Sequence, residues 1–256
     1  MLIQENILNN SNAVRTLVHP SVRSCISKIS PDLDSVTPYK TNIINWLEPI
    51  IDLSNFYVYP TNGVTEGLNW WLSKESRAIT MAEGDYQWIK PKDGEGSIHY
   101  LSVPSAIDGN WKEVPTSIPV ALDLAYTGST SVKQIKISDN VEYVFYSLSK
   151  PFGIRNVRTG WFFSRKQDFR LDALIYNAKY YNYYASQVAE EVIRNFDIDF
   201  VHNAYQSQQQ YICKNLNIKP SDSVWIATSS DDKYKKFRRN KNIARLCLAG
   251  VYNEET

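Results

Sequence analysis

An α/β fold is what this sequence predicts, on three observations. Val141-Glu142-Tyr143-Val144-Phe145-Tyr146 is an apolar, β-rich run that reads as a buried strand. Phe56-Tyr57-Val58-Tyr59, the turn Pro60-Thr61-Asn62-Gly63 and the helix-like Val64–Leu72 follow one another as strand, turn and helix. Pro119-Val120-Ala121-Leu122 is a further short strand, and it ends in a carboxylate, Asp123.

The other elements fit that frame. Residues 1 to about 40, with Pro20, Pro31 and Pro38, read as a short helix or two and a connecting arm. Thr41–Ile51 places Ile43, Ile44, Trp46, Leu47, Ile50 and Ile51 near helical spacing, as in an amphipathic helix facing the core. Ala78–Ala82, His99–Val103 and Trp161–Phe163 read as strands, and His99 as a packed residue. A long helical region runs from about Arg170 to Asn215, Asn215–Pro220 is a turn, and Ser223–Ala227 is a strand. The charge run Lys233–Lys241 is most simply a solvated helix face, and Ile243–Gly250 is a β-like apolar run.

At 256 residues the chain can hold one large domain, or one plus a small satellite, and 43% hydrophobic content suffices for a core. A net charge of +1 gives no electrostatic case for nucleic acid or for a membrane surface. Cys25, Cys213 and Cys247 show neither a zinc spacing nor a disulfide framework. With no apolar leader and no run long enough to cross a bilayer, a soluble, cytoplasmic protein is expected.

Chemistry gathers in Ser147–Gly160. Lys150 lies just past the strand 141–146, beside Ser147, Ser149 and Gly153, where open α/β sheets bind ligands. A partly desolvated ammonium there loses its proton more readily, and the free amine can form a Schiff base with a carbonyl. Arg158 offers a planar fork for phosphate or carboxylate. An amine nucleophile beside an anion site suggests pyridoxal 5′-phosphate (PLP), which carries an aldehyde and a phosphate. Asp123 is a candidate partner for a pyridinium nitrogen, and Tyr126 for the ring's phenolate oxygen. The glycine turn opening the helix at Val64 is a candidate phosphate site. Arg245, among apolar residues, is costly without a partner and suits a substrate α-carboxylate.

Ser147-x-Ser149-Lys150-x-Phe152-Gly153-x-x-Asn156-x-Arg158-x-Gly160 resembles the cofactor-lysine signature of fold-type I PLP-dependent aminotransferases, the aspartate and histidinol-phosphate aminotransferase superfamily. Asp123-x-Ala125-Tyr126-x-Gly128 resembles a second signature of that family. The resemblance runs from about residue 55 to residue 250. It implies that Gly63, Val64 and Thr65 meet the cofactor phosphate together with Ser147, Ser149 and Arg158. It also implies that Tyr86, with Trp88 as rival, stacks on the ring, and that Arg245 grips the substrate. Tyr39 falls near the tyrosine that relatives lend to the neighbouring subunit. One departure is Ala106, near the position of the asparagine that bonds the ring oxygen in relatives, with Asn110 or Ser102 as possible substitutes.

By that resemblance the fold is a three-layer α/β/α large domain with a mostly parallel sheet, over 40–168. Residues 1–39 and 169–256 would form an N-terminal arm and a reduced small domain. The implied activity moves an amino group between an amino acid and a 2-oxo acid through the Lys150 Schiff base, in a homodimer. The alternatives are another PLP-dependent reaction (lyase, decarboxylase or racemase) or a degenerate, non-catalytic binding protein. The sequence does not identify the amino donor or the acceptor.

Overall fold

The computed structural model describes residues 14–30 and 40–252. Tyr39 lies outside the described residues. A six-stranded sheet forms the centre, built from β1 (Tyr57–Thr61), β2 (Ala78–Thr80), β3 (Ser97–Ser102), β4 (Val120–Asp123), β5 (Val141–Tyr146) and β6 (Gly160–Ser164), in spatial order β1-β6-β5-β4-β3-β2. β2 to β5 pair in parallel, and β6 is antiparallel to both β5 and β1. The carboxyl ends of the first five strands therefore share one edge with the start of β6.

Both faces of the sheet are covered, which is why β4 and β6 are buried at every residue. Side chains alternate between two cores. Val144 and Tyr146 point into one, and Phe145 points into the other. The second core lies under α3 (Val64–Leu72), through Leu68 and Trp71, and under the segment carrying Leu171 and Ile175. The first is covered by α2 (Lys40–Leu47), through Ile43 and Leu47, and by α5 (Tyr183–Asn195). α5 buries Ala185, Val188, Ala189 and Val192, one face at helical spacing, and the Asn182 side chain caps its first turn. The chain is thus α/β in three layers. A second sheet, β7 (Lys219–Pro220), β8 (Ile226–Ser229) and β9 (Ala244–Cys247), is antiparallel.

Several boundaries differ from the sequence reading, each for a tertiary reason. β1 continues through Pro60 and Thr61 because it is an edge strand, where a missing N–H costs no ladder bond. The long helical region divides into α4 (Phe169–Leu171) with one π turn over Asp172–Asn177, then α5, then α6 (Phe200–Leu216). The strand expected at 223 starts at Ile226, because the buried Gln209 amide of α6 holds the carbonyls of Ser221, Ser223 and Ile226 in a turn. The basic run is not a regular solvated helix. It makes a 3₁₀ segment, Asp232–Phe237, with Lys233 and Lys236 lying over Tyr234 and Phe237, and then extends along β9. α1 (Pro20–Ile26) packs on α5. No helix among the described residues is long and apolar enough to cross a membrane.

Candidate functional site

The shared strand edge collects the residues singled out by sequence. β1 leads to Gly63 and α3, β2 to Asp85 and Tyr86, β3 ends at Ser102, β4 at Asp123, and β5 leads to Ser147 and Lys150. Because β6 runs the other way, the loop entering it delivers Arg158 to the same edge. Open α/β sheets bind ligands beyond their carboxyl ends, and here five such ends converge.

At one end of the edge, Gly63 precedes α3 at φ +89°, and no side chain among the described residues caps the helix. The first turn of a helix leaves N–H groups without intrahelical acceptors, and an anion there is favoured by those donors and by the helix dipole. Arg158, itself at φ +63°, donates from Nη2 to the Asn62 carbonyl at 2.7 Å and lies across the turn. A Cβ on Gly63 would stand 2.6 Å from that nitrogen and displace the guanidinium, and the φ of +89° itself favours glycine. Thr65 Oγ1 meets the Tyr86 hydroxyl at 3.3 Å. Ser147 Oγ accepts the Ser149 N–H at 2.9 Å, and the buried Ser149 hydroxyl has no partner among the described residues.

At the other end Asp123 is 2% exposed. Tyr100 donates its hydroxyl to Oδ2 at 2.6 Å and the Ala125 N–H reaches Oδ1 at 2.8 Å. Burial outweighs both bonds and pushes the carboxyl up to about 7. Lys150 moves the opposite way. Burial, then the positive charge of Arg245, bring its ammonium down to about 8. Its Nζ donates to the Val14 carbonyl at 2.6 Å, where the N-terminal segment crosses the loop. Thr16 Oγ1 meets the Ser149 carbonyl at 3.4 Å in the same crossing.

These groups form one electrostatic cluster. Lys150 feels Arg158 and Arg245, and Tyr126 feels Arg245 and Asp123. Tyr86 feels Asp123 and Arg158, which closes the ring. Arg245 on β9 is 3% exposed and donates through Nη1 to the Ala106 carbonyl. Trp88 is 53% exposed and donates to Asn69 at 3.0 Å, so Tyr86 is the aromatic facing Thr65.

The two neighbours of Ala106 are engaged differently. Asn110 Oδ1 accepts the Asp222 N–H at 3.1 Å, which occupies its acceptor and not its Nδ2 donors. Ser102 donates to Asp85 and accepts from the Ala106 N–H at 2.8 Å. The sequence reading missed Tyr100, Asp85, the Val14 segment and Arg239. The β3–β4 register, which pairs Tyr100 with Ala121 and Ser102 with Asp123, is what brings Tyr100 to the site, and Asp85, beyond β2, is held there by the Ser102 hydroxyl. A cavity of about 330 Å³ is bounded by Asn62, Trp70, Thr159 and Tyr181–Tyr183.

No protein-family model and no curated protein matches this chain. Solved structures do match it, at identities that carry the fold alone. A PLP-bound C–S lyase from Staphylococcus hominis, complexed with the inhibitor L-cycloserine, aligns at TM-score 0.65 and 10% identity, over 96% of this chain and 87% of its own. Histidinol-phosphate aminotransferase from Sinorhizobium meliloti, in complex with pyridoxal-5′-phosphate, aligns at 0.64 and 13%, over 91% and 84%. An aromatic aminotransferase from Pyrococcus horikoshii aligns at 0.64 and 10%, over 96% and 93%. The chain has the fold of fold-type I PLP-dependent enzymes.

Proposed function

We propose that this chain is a PLP-dependent aminotransferase moving an amino group between an amino acid and a 2-oxo acid. The observation that carries the reading is the closed cluster around Lys150, with Asp123 and the uncapped α3 turn at its two ends. The cofactor fits on three further counts. The Ser149 hydroxyl is buried and unpartnered among the described residues, Arg158 closes over Gly63, and Asp123 sits protonatable at a strand end.

When bound, PLP supplies an aldehyde and an electron-poor ring able to accept charge from the substrate α-carbon. The α3 N–H groups at Gly63, Val64 and Thr65, the hydroxyls of Ser147 and Ser149, and Arg158 would hold its phosphate. Tyr86 would pack against the ring, and Asp123, held by the Tyr100 hydroxyl, would keep a proton at the ring nitrogen. With Ala106 in place of an asparagine, Tyr126 would support the ring oxygen. Lys150 would be the covalent anchor and, as a free amine, the base that takes the proton from the substrate α-carbon. Its lowered basicity suits both roles near neutral pH. Arg245 orients the substrate by its α-carboxylate.

Lyase chemistry is the second reading, favoured by the C–S lyase among the structural matches. It would use the same anchor, ring partner and base. A 2-oxo acid product together with an aminated cofactor identifies transamination, whereas release of a thiol identifies the lyase.

We also propose a homodimer, with the division into 40–168 and a reduced domain of 1–39 and 169–256. Support comes from the exposed apolar side chains Phe169 (75% exposed) and Tyr180 (71%) beside Leu174 and Tyr184. Light scattering that gives a dimer mass supports this, and a monomer with full activity removes it.

The decisive experiment is visible absorbance of the protein with PLP before and after borohydride. A yellow band fixed by borohydride onto the peptide containing Lys150, and lost in Lys150→Ala, is the expected result. No band in the wild type sinks the reading.

A further inference from the structure

The loops after β2 and β3 and the turn before β9 meet at a buried carboxyl group that the roles above leave unused. Asp85 is 2% exposed and directly precedes Tyr86. Its Oδ1 accepts the Tyr86 N–H at 2.7 Å and also the Ser102 hydroxyl. Ser102 Oγ in turn accepts the Ala106 N–H at 2.8 Å, and the Ala106 carbonyl accepts from Nη1 of Arg245. A chain of hydrogen bonds therefore runs from the Asp85 side chain to the Arg245 guanidinium.

That chain closes on itself through the hairpin that carries Arg245. Arg238 bridges Ala244, and the Arg239 N–H bonds the Ile243 carbonyl at 3.0 Å, so residues 238–244 fold back along the start of β9. Arg239 Nη2 then donates to the Asp85 carbonyl at 3.1 Å. Gly84, at φ +87°, lets the two backbones approach, since a Cβ there would stand 2.4 Å from the Arg239 carbonyl. Asp85 thus begins the circuit with its side chain and ends it with its backbone. Burial pushes its carboxyl up, against the pull of the Ser102 and Tyr86 bonds. A turn of this kind needs no buried acid. The circuit does need one oxygen that accepts two donors, and a carboxylate supplies it.

We propose that Asp85 is a positioning residue whose carboxyl group sets Tyr86 and Arg245 together. The inference rests on the aminotransferase reading for the roles of those two residues, at the cofactor ring and at the substrate carboxylate. The circuit itself does not depend on that reading. Ala106, at the position of the expected asparagine, contributes through its backbone, since its N–H and carbonyl join Ser102 to Arg245. Removing the Asp85 acceptor would therefore loosen the aromatic wall and the carboxylate anchor at once.

Two measurements separate this inference from the reading it rests on. Amide hydrogen exchange in the cofactor-free protein tests the circuit. Asp85→Ala should speed exchange at Tyr86 and Ala106 by roughly tenfold, as for one lost hydrogen bond. Asp85→Asn, which keeps an acceptor oxygen, should stay within about threefold of wild type at both amides. Ser102→Ala cuts the circuit one bond further on, so it should speed Ala106 and spare Tyr86, and it serves if Asp85→Ala does not fold. In the PLP-loaded protein, Asp85→Ala should raise the amino acid KM by about tenfold, with kcat much less affected, and Asp85→Asn should restore it. In an Arg245→Gln background, Asp85→Ala should add less than about twofold to KM, because the route to the anchor is already cut. Unchanged amides in both Asp85→Ala and Ser102→Ala overturn the circuit. The same KM increase in both backgrounds overturns the link to Arg245, and an Asp85→Asn protein as damaged as Asp85→Ala overturns the role of the acceptor. A wild type that forms no yellow band sinks the enzymatic reading, and the exchange rates then decide the circuit by themselves.

Discussion

The two ends of the strand edge solve the same task with different materials. At the Gly63 end, charge is met by backbone N–H groups, a helix dipole and an exposed arginine, and no acid or base has to be buried. At the Asp123 end a carboxylate is enclosed among Tyr100, Tyr126 and the sheet, and carries the cost of that burial in its proton equilibrium. The first end is a matter of shape, the second of stored electrostatics. One should therefore fail when geometry is changed, and the other when charge is changed.

Asp123→Asn is the sharpest test of the charged end. On the role proposed for Asp123 at the ring nitrogen, its loss should slow the α-proton step by roughly 10²–10³-fold, with much smaller change in PLP affinity, measured by single-turnover absorbance. A large loss of affinity instead would erase the distinction between the ends. Gly63→Ala is the counterpart. Placing a Cβ 2.6 Å from Arg158 at a φ of +89° should weaken PLP binding by about 10- to 100-fold, read by fluorescence titration. Turnover at saturating cofactor should be far less affected.

Lys150 lies between the ends and inherits charge from one wall. Its amine should become reactive as pH rises through about 8, so the rate of yellow-band formation should climb there and level off above. Arg245→Gln removes a positive neighbour and should move that midpoint upward. A midpoint unchanged by this substitution would detach Arg245 from the lysine.

The smallest effect concerns Tyr100. Asp123 has a folded value of about 7 against 3.8 for an ordinary carboxyl, so the unfolded chain ionises first as pH rises. The resulting destabilisation is absent below about pH 4, grows toward pH 7 and then stays constant. Tyr100 offsets part of it by donating to the carboxylate. Tyr100→Phe should therefore cost about 1–2 kcal/mol in cofactor-free urea unfolding at pH 8, and less at pH 4. An equal loss at both values would mean that Tyr100 matters only for packing.

The contrast also explains what could be read from the sequence. The Gly63 turn, Asp123 and the Ser147–Arg158 loop are contiguous stretches whose residue types announce their chemistry, and the strands flanking them were legible as apolar runs. Tyr100 was not, because its link to Asp123 exists only through the register of two parallel strands whose connecting chain spans 103–119. Arg239 was hidden for a different reason. It sits inside a basic run that looks solvated, and only the hairpin with Ile243 and Ala244 turns it inward. The start of β8 depends on one glutamine of α6, a constraint that no local pattern contains.

The reversed direction of β6 has a mechanical consequence. Because β6 begins at the edge where β5 finishes, Lys150 and Arg158, the proposed covalent anchor and phosphate clasp, belong to a single hairpin loop. A ligand attached to both is gripped by a caliper whose jaws are the two ends of that loop. The opening of the caliper is set by the residues between them, including the buried Phe152 and Ile154, rather than by any movement of the sheet. Lengthening the loop would slacken the grip while leaving every contact residue in place.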